Sequence, residues 1–416
     1  MKKQNIVSAI ALSLVLAAGV AGSAMVLVSP HRAEAADQTV SPAVGRPLTA
    51  ARDLATEKKF KEAIVKAKEA DAVAKKSDYE SYMTSEILGS IYLQARQYAN
   101  AAATLEKSIA TGQLSPEETT ARVKLLSQVF YQVKNYRKAI QYGQKSLQGA
   151  ANDIATMVIV GQSQYLLKQY KPASATMRNV VRTAKRSRAK INETWLQLLM
   201  TAEYELGNDA GVRGALEELI RYYPSDRYWT DYVAHVEKDL KGAKTKTALD
   251  LLRFRLSSGA MQNAKDYTDM AELALQEGLP GDAQRVLETG QAAGIIGAGP
   301  QAGRHKRLMA MAVERATEDK AQITTGATEA AALVTGDADI SFGEAYWTYG
   351  QYSESVEAIQ RGIGKGVENA DEAQLRLGLA FLGAGDKAKA TAAFKKITAG
   401  SPEAKIAALW TLKGSI

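Results

Sequence analysis

The side chains that carry most enzymatic chemistry are scarce in this chain. Its 416 residues include no cysteine and only three histidines. That removes thiolate nucleophiles, disulfides and cysteine metal sites, and leaves little imidazole for acid–base work. The run Gly294-Ile295-Ile296-Gly297-Ala298-Gly299-Pro300-Gln301-Ala302-Gly303 has glycines spaced as in loops that cradle a pyrophosphate. Such a loop must follow a strand. Here Arg285-Val286-Leu287-Glu288 reads as helix instead. Gly294 also lies seven residues after Leu287, as Gly112 does after Leu105 and Gly366 after Ile359, so it is read as a recurrent helix stop where positive φ is cheap. Ser187-Arg188-Ala189-Lys190 has the serine–lysine spacing of an acyl-transfer nucleophile, but the Ser-Asp-Asn and Lys-Thr-Gly partners are missing. His235 is expected to be packed or snorkelling, and His305 to face solvent at a helix start. Glu217-Glu218 are adjacent, so they diverge on a helix and make no paired-carboxylate site. No catalytic residue, metal site or cofactor is read, and an enzyme with its site in 295–340 is the least favoured class.

The elements that would position any site are helices that repeat. Leu88-Gly89-Ser90-Ile91-Tyr92, Tyr98, Ala101 and Leu105 share their offsets with Leu377-Gly378-Leu379-Ala380-Phe381, Lys387, Ala390 and Phe394. Gly343, Tyr346, Tyr352, Val356 and Ile359 follow the same template. So do Phe130, Tyr136, Ala139 and Ile140; Gly161, Tyr170 and Ala173; and Phe60, Ala63 and Ile64. Apolar and small residues recur every three or four positions on both sides of a short break, the helical period. Each unit is therefore a helical hairpin: a small residue in the first helix admits the second, the later alanine receives it, and the aromatic fills the break. Prolines fall at helix edges, as in Ser115-Pro116-Glu117-Glu118 and Ser401-Pro402-Glu403, and none falls at a predicted mid-helix position.

In combination these units resemble tetratricopeptide repeats over roughly 47–225 and 336–400. The resemblance implies an all-α, right-handed superhelical solenoid of about nine units, some degenerate, whose first helices line a concave groove. Thr247-Ala248-Leu249 with Leu252 suits one hidden unit, and Met309 to Leu333 another with poor spacing. The expected organisation is a signal peptide at 1–35, a linker at 36–46, an N-terminal array at 47–256, degenerate or irregular repeats at 257–335, and C-terminal units with a capping helix at 336–416.

Met1-Lys2-Lys3, the uncharged stretch Ile6–Val28, Pro30 and Ala33-Glu34-Ala35 together describe a secretory signal. The expectation is cleavage near Ala35 and a periplasmic or secreted location. The alternative is an inner-membrane anchor through residues 6–28, since such a stretch is long enough to span a bilayer. Hydrophobic residues make up 46% of the chain, enough for a real core.

The formal charge of +8 is unevenly spread. Residues 122–190 hold 14 basic residues and one acidic residue, Asp153, while 36–121 and 191–416 are slightly acidic. Basic-patch candidates are Arg137, Lys138, Lys171, Arg178, Arg182, Lys185, Arg186 and Arg188, expected on second helices and the loops after them. They suit an anionic partner such as an envelope polysaccharide or peptidoglycan, or a merely solvated face. Nucleic acid is not expected. The repeat resemblance implies a peptide groove on first helices, five, eight and twelve residues before the break. That points to Lys124, Gln128 and Tyr131; Val158, Gln162 and Tyr165; and Gln197, Thr201 and Tyr204. These tyrosines either floor a peptide site or pack between units. The leading expectation is a non-catalytic scaffold with a protein partner, the alternative a binder of anionic envelope material through 122–190.

Overall fold

The computed structural model describes residues 39–242 and 244–416; the expected signal peptide lies outside them. The chain forms two compact units divided after Ser115. The first contains α1 (Pro42–Thr56), α2 (Phe60–Asp71), α3 (Asp78–Gln94) and α4 (Tyr98–Ala110). The second contains α5 (Pro116–Gln132), α6 (Tyr136–Gly149), α7 (Ile154–Leu166), α8 (Tyr170–Ser187), α9 (Glu193–Glu205), α10 (Asp209–Tyr222), α11 (Asp226–Asp239) and α12 (Thr245–Ser258). It continues with α13 (Ala264–Gln276), α14 (Pro280–Ala292), α15 (Ala302–Ala332), α16 (Asp337–Thr348), α17 (Tyr352–Lys365), α18 (Ala370–Gly383), α19 (Lys387–Phe394) and α20 (Pro402–Gly414). The described residues contain 20 helices and no strand, and the fold is an all-α solenoid of consecutive helical hairpins.

The hairpins are built as the repeat template requires. Phe60, Tyr98, Tyr136, Tyr170 and Tyr352 each open the second helix of their pair. The middle residue of each three-residue turn is left-handed: Lys58, Arg96, Lys134 and Lys168 in the earlier hairpins, Gly207, Gly278, Gly350 and Gly385 in the later ones. That geometry lets the next amide reach back into the helix just ended, as Asn135 N–H does to the Phe130 carbonyl at 2.8 Å and Asp386 N–H to Phe381 at 2.8 Å. A Cβ on Gly89 would lie 2.7 Å from Leu105, and one on Gly161 2.6 Å from Met177; Gly343 and Gly378 are equally tight against Ile359 and Phe394. The large side chain sixteen residues on is thus what the glycine admits. In the α5/α6 hairpin the exchange is reversed, with Ser127 on the first helix facing Gly143 on the second. Ala101, Ala139, Ala173 and Ala390 are all buried beside these contacts.

Several expectations change. The first helix begins at Pro42, inside the expected 36–46 linker, and carries Pro47 in its interior. Val44 and Leu48, four residues apart, bury against Ala70, and Glu80 accepts the Ser41 N–H at 2.8 Å, so packing sets the helix start and overrides the proline. The stretch 295–335 holds no poorly spaced hairpin. It is mostly α15, one helix of 31 residues with a buried stripe of Leu308, Ala312, Ala316, Ile323, Ala327 and Ala330. His305 is buried rather than solvent-facing; its Nδ1 accepts the Gly297 N–H at 3.1 Å and ties the glycine-rich loop to α15. Gly112, Gly294 and Gly366 do lie at helix ends with positive φ.

Within the second unit the later helices return to the middle of the chain. α12 packs as closely on α20 as on α11. Phe254 meets Trp410 edge-on at 5.3 Å, Lys246 pairs with Glu372 at 2.8 Å, and Lys413 Nζ donates to the Ser257 carbonyl. The capping helix therefore closes on α12 as well as covering the last hairpin.

Candidate functional site

The first helices α5, α7 and α9 lie side by side, α5 touching α7 and α7 touching α9. The template places equivalent residues on them in register, and every one of the nine groove candidates is half-buried. Lys124 on α5 pairs with Asp153 at 2.7 Å. Burial pushes the Asp153 carboxyl up, but that ion pair and the Thr156 hydroxyl outweigh it and hold it below its ordinary range. Among the described residues the Gln128 and Gln162 side chains make no hydrogen bond that commits them elsewhere, and Val158 is apolar. Gln197 donates to the Tyr228 hydroxyl at 2.8 Å, and Thr201 bonds back to the Gln197 carbonyl at 2.8 Å.

Two of the three tyrosines lean on the break aromatic of their own hairpin. Tyr131 lies 5.7 Å from Tyr136 and Tyr165 5.5 Å from Tyr170, both tilted by nearly 60°. The Tyr131 hydroxyl is buried without a hydrogen-bond partner among the described residues, and burial, then Tyr136, pushes its pKa up to about 12. Burial raises Tyr165 as well. The rings thus pack within units, while their register puts one on each successive first helix.

The basic candidates fall on second helices as expected. Arg137 and Lys138 lie on α6, the latter with its ammonium 4.8 Å above the Phe130 ring. Lys171 is exposed at the start of α8, and Arg188 ends that helix in a left-handed conformation. Arg178, Arg182, Lys185 and Arg186 line a cleft of about 680 Å³ between α8 and α10. Arg178 is fixed by the buried carboxylate of Glu203, and Lys185 pairs with Glu218 at 2.6 Å. Burial pushes Glu203 up, but Ser174, Arg178 and Asn208 together outweigh it and hold the carboxyl below its ordinary range. Arg182 is braced by Asn179 at 2.9 Å. Thus the eight basic candidates form no single patch: four converge on the cleft and the rest are spread along α6 and the two ends of α8.

One polar constellation was not anticipated from sequence. Arg253 and Arg376 are buried with Asp250, Asp282 and Glu344, drawn from α12, α14, α16 and α18. Arg253 reaches Asp282 at 2.6 Å, Asp250 at 2.8 Å and Glu344 at 2.6 Å; Arg376 reaches Asp250 at 2.6 Å and Glu344 at 2.9 Å. Arg253 and Arg285 both stack on Trp347, at 5.2 and 5.1 Å. Burial opposes the Glu344 charge, but the two arginines prevail and lower its pKa to about 2. With every carboxylate already paired, the cluster can clamp helices but offers no free acid or base. Its only sequence signal is charged residues at positions where the helical period calls for apolar ones.

Among the described residues no group of three or more histidines and carboxylates is arranged to hold a metal, and no helix is long and apolar enough to cross a membrane.

A family model described as "Tetratricopeptide repeat" matches residues 340–405, the α16–α19 hairpins with the start of α20. None of the curated proteins compared matches the chain. Among solved structures, a tetratricopeptide repeat protein from Parabacteroides merdae is 12% identical, with a TM-score of 0.34, over 66% of this chain and 100% of its own. YrrB, titled a TPR protein with an unusual peptide-binding site, is 14% identical with a TM-score of 0.35, over 44% of this chain and 89% of its own. The TPR2AB domain of yeast Sti1, in complex with pHSP90, is 15% identical with a TM-score of 0.25, over 71% of this chain and 98% of its own. The family match falls on hairpins whose glycine, turn and alanine geometry recurs from α3 onward, so residues 340–405 match the tetratricopeptide repeat and the other hairpins share its local build.

Proposed function

We propose that this chain is a non-catalytic scaffold or adaptor that holds a segment of a protein partner against α5, α7 and α9. Proteins built of these repeats generally mediate contacts between proteins. The observation that carries the assignment to these helices is register: Tyr131, Tyr165 and Tyr204 occupy one position on three adjacent first helices, with Gln128, Gln162 and Thr201 one turn before them. Half-buried tyrosines offer a large apolar face with a polar tip, and the Tyr131 and Tyr165 rings are already ordered by Tyr136 and Tyr170, so these two lose little side-chain entropy on binding. The lysine-led apolar N-terminus and Ala33-Glu34-Ala35 support an exported, periplasmic setting with the signal removed; retention of residues 6–28 as an anchor is the alternative.

A photo-crosslinking side chain at Gln128 or Gln162 tests the groove in envelope fractions, with the exposed Lys171 position as control. One protein adduct is expected from the groove positions, lost in Tyr131→Ala/Tyr165→Ala/Tyr204→Ala while helical circular dichroism is retained. An adduct that survives the triple substitution refutes the groove. An anionic polysaccharide or peptidoglycan at 122–190 is the weaker reading, because Lys124, Arg178 and Lys185 are already paired with Asp153, Glu203 and Glu218. Sequencing the mature N-terminus tests export: a chain starting at Met1 refutes cleavage.

A further inference from the structure

The cleft between α8 and α10 shares no lining residue with the first-helix groove, and the inference drawn from it does not depend on that groove. One wall is a ridge on α8. Arg178, Arg182, Lys185 and Arg186 follow helical spacing and so share a face. The ridge is long because α8 runs for 18 residues, whereas its neighbours α6 and α10 have 14 each. Arg182 and Arg186 pair with no carboxylate among the described residues, so the rim keeps positive charge after Glu203 and Glu218 are counted. The opposite wall is α10, where Ala210, Gly211 and Gly214 present almost no side chain. The floor is Val181, Leu199 and Ala215, all buried apolar residues.

The two glycines of that wall differ in what they explain. Gly211 is required by the protein itself, because a Cβ there would run into the Glu203 carboxylate. Gly214 is not. It lies mid-helix with negative φ, and a Cβ on it would meet nothing within 4 Å. Glycine is the poorest helix former after proline, and no neighbour among the described residues calls for it. Its effect is to keep the cleft open.

We infer that the α8/α10 cleft docks an acidic amphipathic segment of a partner protein, apolar side chains on the Val181–Leu199–Ala215 floor and carboxylates against Arg182 and Arg186. Charge complementarity selects acidic flanks, since guanidinium groups match carboxylates in bidentate geometry. The apolar floor selects a peptide over a glycan, because it offers no hydrogen-bond partner to sugar hydroxyls. The wall from Ala210 to Glu218 is about 12 Å long at the helical rise, room for roughly two turns of an incoming helix.

The probe is a fluorescein-labelled peptide of leucines at helical spacing flanked by glutamates, read by anisotropy against the full chain. A scrambled peptide of the same composition and dextran sulfate serve as comparators. Gly214→Leu fills the cleft with a better helix former, and Arg182→Glu/Arg186→Glu reverses the rim; circular dichroism and thermal melting confirm that both variants fold. The expected result is binding of the patterned peptide in preference to the scrambled one, weakened at least about tenfold by either variant and by raised salt. Tyr131→Ala/Tyr165→Ala/Tyr204→Ala leaves it unchanged, which separates this site from the groove. Equal binding by the scrambled peptide, undiminished binding by Gly214→Leu, or Gly214-dependent retention of dextran sulfate in place of the peptide each overturns the proposal.

Discussion

Replacing Arg376 by methionine isolates the energetics of the buried charge cluster. The side chain is almost wholly buried and reaches Asp250 at 2.6 Å and Glu344 at 2.9 Å. Methionine fills much of the volume but supplies no charge. Asp250 and Glu344 then depend on Arg253 alone, which also serves Asp282 at 2.6 Å. Three buried carboxylates facing one buried arginine, with Arg285 at the edge on Asp282, leave charge uncompensated. Removing one partner of such a pair costs about 3–5 kcal/mol, a large share of the roughly 5–15 kcal/mol that holds a typical domain together. Urea denaturation followed by tryptophan fluorescence is a suitable assay, because Trp347 stacks on Arg253 at 5.2 Å. The double variant Arg376→Met/Glu344→Gln removes one charge of each sign and recovers part of the loss. The cluster also has a pH signature. Glu344 titrates near 2 when folded, below the ordinary value of 4.5, so its contribution is complete above about pH 4.5 and disappears as pH falls toward 2. Arg376→Met flattens that acid limb. A destabilisation below about 1 kcal/mol, with the acid limb unchanged, would refute the view that the arginine compensates buried charge.

Two further outcomes follow from the hairpin geometry. Gly161→Leu forces a side chain into Met177, only 2.6 Å from where the Cβ must lie, and overpacking of this kind costs about 1–3 kcal/mol; an unshifted thermal melt would show that the hairpin can yield. In the first unit, hydrogen bonds from Ser41 and Ser77 hold Glu80 at about 2, below its ordinary 4.5, so the stability it adds is present above pH 4.5 and lost as pH falls toward 2. Glu80→Gln is expected to remove that dependence from α1, read by amide hydrogen exchange across 42–56, and exchange that still accelerates in acid would contradict it.

Local features of the chain were legible and long-range ones were not. Break aromatics such as Tyr98 and Tyr170 open second helices where the spacing put them, because the turn is set by residues within six positions of one another. The expected 36–46 linker is too long because the burial of Val44 and Leu48 decides where α1 starts, and no local repeat signal marks those two residues. That Tyr131, Tyr165 and Tyr204 share one position on successive first helices was readable for the same local reason, but Tyr131 and Tyr165 also lean on Tyr136 and Tyr170, which no one-dimensional pattern distinguishes from an open floor. The basic block was visible as composition, whereas the cleft required knowing that Gly214 lies opposite Arg182. The Arg253–Arg376 cluster was hidden outright: Asp250 and Arg376 are 126 positions apart, and no repeat offset relates them. α15 escaped because its long-spaced alanines resemble a hairpin with a weak break.

The return of α20 to α12 also has a consequence for the order in which the chain acquires its shape. Hairpins such as α5/α6 and α7/α8 find their partners within a few tens of residues and are able to stack as they emerge from synthesis. Phe254 must wait for Trp410, 156 positions later, an interval of roughly 8–30 s at ordinary elongation rates. During that time Phe254 is covered on one side by Trp229 of α11, at 5.3 Å, and lacks the Trp410 side of its packing. Truncation before α20 would leave the Trp410 side of Phe254 permanently open.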